Sequence, residues 1–380
     1  MKRVLLLNNV PAPYFTPLFE KVGAESGWEL TVCYSSDWNQ DVGWQTKLTQ
    51  KTKAYQLIVL DQQNYWLRRL LGSSMAAAIC LFKMLLRNRP DYLICYGYTL
   101  KPQMVALFWA MITGTPFALS GDANYFSDSA VGLKRVLRSY WLRQVTNSAA
   151  ALIAVGTASR MFWEAYGAQP TQLFDAGFAV DNEFYAEASA AGKQEAADLR
   201  NQLGLNDKVV FLFVGRLIRR KNIDLIVRAA QQIAGDKVGV IITGSGQQLE
   251  TLKAMAANHP EIIFAGNVAP QDLPLYYAMA DALILPASQE PWGLVINEAM
   301  ACGLAIIAHQ YCGATVDLVD ERNGVKLEEF SVDEVARAMR LLAGDKSLLR
   351  SMQQNSREKI QHWSIEAAAQ SIIHAVDASH

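Results

Sequence analysis

The chain has 380 residues, enough for two domains with separate cores, and its formal charge of −1 excludes a nucleic-acid binder held by overall electrostatics. Hydrophobic residues make up 51% and charged residues 19%, a folded globular composition with little room for disordered tails. The charge is uneven: residues 1–180 carry an excess of Lys and Arg and the remainder an excess of Asp and Glu, so the two halves face different partners.

The five cysteines are odd in number, scattered and mostly set in apolar runs, which points to a reducing, cytoplasmic compartment and away from a disulfide framework. The opening MKRVLLLNN has two basic residues and then a short apolar run, too short for a signal peptide and suited to a buried strand over 3–7. Its loop, NNVPAPY, lacks the GxGxxG that dinucleotide-binding proteins place at this turn. Further strands are expected at 30–34, 56–60, 92–96, 117–120 and 151–155, with helices between most of them. That alternation predicts a parallel sheet covered on both faces. Ligands of such sheets bind beyond the carboxyl ends of the strands, where Asn8, Asn9, Tyr98, Lys101, Asp122 and Asn124 all fall.

The apolar stretch 103–119 is interrupted by Thr113, Gly114, Thr115 and Pro116, well short of the ~20 residues a membrane span needs. It reads as a buried helix, a turn and a strand, and no transmembrane segment is expected. Two other segments, 65–89 and 133–143, are both cationic and greasy. In the second, Lys134, Arg135 and Arg138 share a helical face while Val136, Leu137, Tyr140 and Trp141 supply apolar surface. The pattern suits an interfacial helix drawn to anionic lipid heads; it equally suits a helix packed on the sheet with its basic side in water. Residues 175–206 are less periodic, and the interdomain linker is placed at their start, near Val180.

A second alternating series follows: strands at 209–214, 238–243, 262–264 and 282–285, helices at 223–233, 249–257 and 273–279. Two helices, about 332–342 and 346–359, and an apolar-faced segment, 365–376, end the chain. Strand 209–214 runs directly into Gly215, Arg216 and Leu217, then Lys221. A planar bidentate donor and a point charge at a strand end suit a diphosphate; with Arg219 and Arg220 alongside, a solvated basic loop has the same composition. Thr243, Gly244, Ser245 and Gly246 form a further strand-end turn.

The stretch 288–308, SQEPWGLVINEAMACGLAIIA, leaves strand 282–285 through a polar loop, enters a helix at Gly293 and reaches another buried strand at 304–308. Gly293 leaves the first helical N–H groups open to a ligand, and the helix dipole there favours a phosphate. Glu290 in the loop and Glu298 in the helix are poor phosphate ligands and good acceptors for sugar hydroxyls. Read in isolation, the same pair is two solvated glutamates near a helix start.

The string EPWGLVINEAMACGLAII, with GRL followed by a Lys five residues after its Arg, FAGNV at 264–268 and the AD pair at Ala280 and Asp281, resembles the retaining, nucleotide-sugar-dependent glycosyltransferases of family 4. The likeness is strong over about 209–328 and rests elsewhere on strand and helix alternation and the loop PAPYFTPLF. It implies an α/β fold of two doubly wound Rossmann-like domains facing each other across a cleft (GT-B). The acceptor-binding domain would be 1–180 and the donor-binding domain 181–361, with the final helix, about 362–380, packing back on the first.

It further implies that Arg216 and Lys221 hold the diphosphate, that Glu298 accepts from the donor ribose and Glu290 from the transferred sugar, and that the amides of Gly293, Leu294 and Val295 face sugar and phosphate. Gly215, Gly244, Asn267 and Val268 would border the nucleotide. Asn222 stands where the family has Gly, and no His occupies the N-terminal domain, where many members carry one near the reacting centre. Asp122 lies at that strand end, to orient the acceptor or sugar or to cap its loop; His309 reads as structural. With no DxD and no metal-ligand spacing, no cofactor is expected beyond the nucleotide-sugar donor, a UDP-sugar first and a GDP-sugar second. The implied activity is a metal-independent, retaining hexosyl transfer to a glycan acceptor, on a lipid carrier, with peripheral contact to the cytoplasmic membrane face through 65–89 and 133–143. The other readings on the same scaffold are a sugar-nucleotide epimerase and a non-catalytic nucleotide-sugar binding protein.

Overall fold

The computed structural model describes residues 1–37, 52–127, 132–233 and 237–379, which leaves His380 outside. The chain divides into two compact units, Met1–Phe178 with Ile365–His380, and Ala179–Ser364.

The first unit is built on a parallel sheet of strands β1 (Arg3–Asn8), β2 (Glu29–Tyr34), β3 (Gln56–Val59), β4 (Tyr92–Tyr96), β5 (Phe117–Gly121), β6 (Ala151–Ala154) and β7 (Leu173–Asp175), in the order β3-β2-β1-β4-β5-β6-β7. β4 is buried at every position, as a strand covered on both faces must be. One face carries Leu81, Leu85, Leu107, Ala110, Leu142 and Val145 from the helices Ser73–Arg87, Lys101–Thr113 and Gly132–Ser148. The other is covered by helix Phe15–Glu25 and the last helix, Ile365–Ala378, which brings Ala369, Ile372, Ala375 and Val376 against Phe19 and Val22. Polar contacts fasten that last helix: Tyr92 Oη lies 2.6 Å from Ser379 Oγ, and Lys2 Nζ reaches Asp377 at 3.2 Å.

The second unit repeats the plan with β8 (Val209–Val214), β9 (Val238–Thr243), β10 (Ile262–Gly266), β11 (Ala282–Leu285), β12 (Ala305–His309) and β13 (Gly324–Leu327), all parallel, in the order β10-β9-β8-β11-β12-β13. In both sheets the strand order reverses once, between β1 and β4 and between β8 and β11. Those are the topological switch points, beyond whose carboxyl ends open sheets of this type bind ligands.

Three features lie beyond what the apolar pattern announces. β7 and β13, at three and four residues, are too short for the apolar pattern to announce. The less periodic stretch that follows the linker point near Val180 forms two helices, Asn182–Ala191 and Lys193–Gln202; only Tyr185 and Ser189 of the first and Ala196 of the second are buried, so neither shows a clean apolar stripe. The segment 65–89 is two helices, Tyr65–Leu71 and Ser73–Arg87, because Gly72 turns the backbone to φ 78° between them.

Candidate active site in the second unit

β8 and β11 are hydrogen-bonded neighbours, with Phe211 opposite Ala282, so the loops leaving their carboxyl ends meet over the switch point. The β8 loop carries Arg216 and Lys221; the β11 loop carries Glu290. Their backbones are tied: Ser288 N donates to Arg220 O at 2.8 Å, and Arg220 Nη1 donates to Gln289 O at 3.1 Å. Asn222 takes the left-handed conformation, φ 51°, which Asn tolerates better than most residues, and its side-chain amide donates to Pro286 O at 3.0 Å. The Asn that replaces the expected Gly thus adopts a Gly-like backbone and adds a clasp between the two loops.

From the other side the β11 loop is held by the turn after β12. Glu290 and Cys312 form an isolated parallel bridge, Gly313 N donates to Glu290 O at 3.1 Å, and Ala314 N to Trp292 O at 2.9 Å. The Cys312 thiol donates to Trp292 O at 2.8 Å, and Trp292 Nε1 to Asn297 Oδ1 at 2.9 Å. All five cysteines are free.

Within this frame Lys221 Nζ and the Glu290 carboxylate form an ion pair whose side chains are 11% and 15% exposed. Burial pulls the Lys221 ammonium down, and Arg220 and Arg216 add repulsion. Contact with the carboxylate opposes both and favours the charged pair. Arg216 is exposed and has no salt bridge among the described residues. The β8 loop therefore holds a buried, compensated cation, Lys221, and an exposed one, Arg216, with Arg219 exposed alongside.

Helix Leu294–Ala301 starts at Gly293, whose φ of 99° requires glycine. A Cβ there would lie 2.9 Å from Cys312 Sγ and 3.2 Å from Glu290 Cγ, so Glu290 is packed against the helix start. The amides of the first turn have no partner inside the helix. Glu298 lies one turn further on. Tyr277 Oη donates to its Oε2 at 2.6 Å, and the Tyr185 phenol adds a second hydrogen bond. Burial raises its carboxyl above the usual range while the two phenols act in the opposite sense. Tyr277 is fully buried and packs edge-on against Tyr185, so this carboxylate sits in a preset position.

The remaining expected residues line the adjacent strand ends. Gly215 N donates to Thr243 O, Leu217 N to Ser245 O, and Gly244 N to Gly266 O, which knits the ends of β8, β9 and β10 into one rim. A Cβ on Gly244 would run into the carbonyl of Gly215. Asn267 is exposed and Val268 partly exposed just beyond β10. The fold brings Gly215, Arg216, Lys221, Gly244, Glu290, Gly293, Leu294, Val295 and Glu298 to the carboxyl-end rim of one sheet, with Asn267 and Val268 at its far edge. Asp122 is an exposed residue at the end of β5 in the first unit; burial raises the phenol of Tyr14, and the charge of Asp122 adds to that rise. Asp281 works at the opposite ends of the strands, accepting from Val210 N at 2.8 Å and pairing with Arg200 at 3.3 Å. His309 is buried and stacks on Phe330 at 3.8 Å, and burial lowers its imidazole. Among the described residues no group of three or more His, Cys, Asp and Glu could hold a metal ion.

Two Rossmann-like parallel sheets, the second with a basic and acidic rim at its switch point, make up a two-domain fold similar to that of the GT-B glycosyltransferases. In particular, residues 195–359 match the family of glycosyl transferases group 1. A GDP-mannose-dependent alpha-(1-6)-phosphatidylinositol monomannoside mannosyltransferase of Mycolicibacterium smegmatis is 29% identical over 182 residues, 45% of this chain and 47% of that protein. The chain thus spans about half the length of the curated relatives it matches. Among solved structures, Anabaena HepE in complex with UDP-glucose superposes with a TM-score of 0.75 at 19% identity over 100% of both chains. Sucrose-phosphate synthase from Thermosynechococcus elongatus gives 0.76 at 19% identity over 98% of this chain and 97% of the other.

Proposed function

We propose that this protein transfers a hexose or related sugar from a nucleoside-diphosphate donor to a glycan acceptor carried on a lipid, with retention of anomeric configuration and without a metal ion. The observation that carries the reading is the Lys221–Glu290 pair at the switch point, with Arg216 free beside it. A diphosphate arriving there meets two cations: Arg216 offers a planar pair of donors, and Lys221 a compact charge. Together they neutralise the charge that develops on the leaving phosphate as the sugar bond breaks, the work a metal does elsewhere. As Lys221 turns to the phosphate, Glu290 becomes an acceptor for hydroxyls of the transferred sugar. Glu298, held by two tyrosines, accepts from the ribose. The amides of Gly293, Leu294 and Val295 face sugar and phosphate.

Retention follows from attack on the face the phosphate leaves. The acceptor oxygen bonds to the anomeric carbon, the bond to phosphate breaks, and the acceptor's proton passes to the departing phosphate, so no enzymic nucleophile is required. Asp122 orients the acceptor or sugar. The phosphatidylinositol mannoside named in the mycobacterial relative supports a lipid-linked acceptor, and with it contact between segments 65–89 and 133–143 and the cytoplasmic membrane face. The two donors named above, GDP-mannose and UDP-glucose, support a nucleotide-sugar without choosing its base.

The test is release of nucleoside diphosphate from a panel of UDP- and GDP-sugars, with and without chelator, by the wild type and by Arg216→Ala, Lys221→Ala and Glu298→Gln. The reading expects chelator-insensitive turnover in the wild type and its loss in the variants. Unchanged turnover in all three variants overturns the site.

A further inference from the structure

Trp292 follows Glu290 by two positions and immediately precedes Gly293, so its placement sets where that carboxylate and the helix start stand. It is 4% exposed. Its carbonyl accepts from Ala314 N and from the Cys312 thiol, and its indole N–H goes to Asn297 at 2.9 Å. One face of its ring carries Trp363, stacked at 5.6 Å between centroids with the two planes 22° apart.

Trp363 comes from a distant part of the chain. It stands next to Ser364, the last residue of the second unit before the chain returns to the first at Ile365. Helix Lys346–Ile360 ends just ahead of it, and Trp363 N donates to Ile360 O at 2.9 Å to close a turn. Asn182 opens the helix that follows the other passage between the units, from Phe178 to Ala179. Its side-chain amide donates to Ile360 O and to Trp363 O, both at 3.1 Å. Carbonyls at a helix end lack partners inside the helix, and Asn182 supplies one to each.

The backbone of Trp363 is thus fixed by Asn182 while its ring lies on Trp292. Its indole N–H is buried without a hydrogen-bond partner among the described residues. A buried orphan donor is costly, and a phenyl ring would avoid it. The indole therefore serves through its broad apolar face and not through its polar atom.

We propose that Trp363, held by Asn182, is a positioning residue for the sugar donor: its ring fixes the loop 288–293, and with it Glu290 and the first amides of helix Leu294–Ala301. Glu290 touches the space around Gly293, where an added Cβ would lie 3.2 Å from its Cγ, so a small shift of Trp292 is passed directly to the carboxylate. The consequence for turnover rests on the donor reading given above; the positioning itself does not.

Cys312 reports the loop without any ligand. Its thiol is fully buried and donates to Trp292 O at 2.8 Å, whereas Cys302, 9% exposed at the other end of helix Leu294–Ala301, reports general unfolding of the unit. The experiment compares labelling of both thiols by N-ethylmaleimide, read by peptide mass spectrometry, in the wild type, Trp363→Ala, Trp363→Phe and Asn182→Ala. Trp363→Ala should label at Cys312 at least about tenfold faster, with Cys302 within about twofold of the wild type. Trp363→Phe keeps a ring to stack and should match the wild type at both thiols, and Asn182→Ala should speed Cys312 by a smaller factor.

Nucleoside diphosphate release from UDP- and GDP-sugars completes the test. Trp363→Ala should lower kcat at least about tenfold while binding of UDP or GDP, gripped by the β8 loop, weakens less than about threefold; Trp363→Phe should restore turnover. Unchanged Cys312 labelling in Trp363→Ala, equal acceleration at Cys312 and Cys302, or a phenylalanine variant no better than alanine overturns the proposal. The expected labelling pattern in a protein whose wild type cleaves none of the nucleotide-sugars upholds the positioning and overturns the donor reading alone.

Discussion

Lys221 and Glu290, 69 positions apart, form an ion pair that spans the point where the strand order of the second sheet reverses. Neither partner can be removed alone without leaving a poorly hydrated charge. Lys221→Met is expected to cost about 3 kcal/mol of stability, while Lys221→Met with Glu290→Leu costs less than the sum of the two single changes, with a coupling of about 1–2 kcal/mol. Urea unfolding of the four proteins measures the cycle; additive costs would show that the two side chains do not interact.

Glu298 gives a pH dependence of definite sign. Burial raises its folded-state carboxyl above the ordinary 4.5, so the folded protein binds the proton more tightly than the unfolded chain. The group's contribution is then most favourable below 4.5 and declines as pH rises through the raised value. Glu298→Gln keeps an acceptor for Tyr277 and has no charge to desolvate. The stability difference should therefore move in favour of the variant as pH rises from about 4 to 8. Denaturant melts across that range check it, and a difference that stays constant with pH refutes the assignment.

Gly293 is needed for two separate reasons, its φ of 99° and the space between Cys312 Sγ and Glu290 Cγ. Gly293→Ala is expected to cost about 1–3 kcal/mol from the backbone alone. Because the added methyl pushes on Glu290, donor turnover should also fall at least about tenfold. A variant with wild-type thermal stability and turnover would mean that the helix start does not set the position of Glu290.

The indole of Trp292 donates to buried Asn297 and stacks on Trp363 at 5.6 Å. Asn297→Leu removes the acceptor and strands that N–H, at a cost of about 1–3 kcal/mol. Thermal unfolding should show the loss, with a change in tryptophan emission. An unchanged midpoint would mean that the N–H finds another partner.

Much of this arrangement was legible in the residues. Strands such as Val209–Val214 and Ala282–Leu285 are continuous apolar runs because both faces of a parallel sheet are covered, and their ends locate Arg216, Lys221 and Glu290. What the residues do not reveal is pairing across the sheet. Lys221 meets Glu290 because β11 lies beside β8, and strand order is not written in either loop. The same holds for Tyr277 and Tyr185, whose phenols serve a carboxylate from another helix and carry no short-range signal. The segment 65–89 is legible as cationic and apolar, but only the surrounding packing tells that the apolar residues of Tyr65–Leu71 face outward.

The central claim is that the switch-point cations exist to hold a diphosphate. Calorimetric titration of UDP and of GDP into the wild type, Arg216→Ala and Lys221→Ala tests it most directly. One of the two nucleotides should bind the wild type, and each variant should bind it about 10- to 100-fold more weakly, the worth of one charge-assisted hydrogen bond to phosphate. Binding of equal strength in all three proteins would contradict the account.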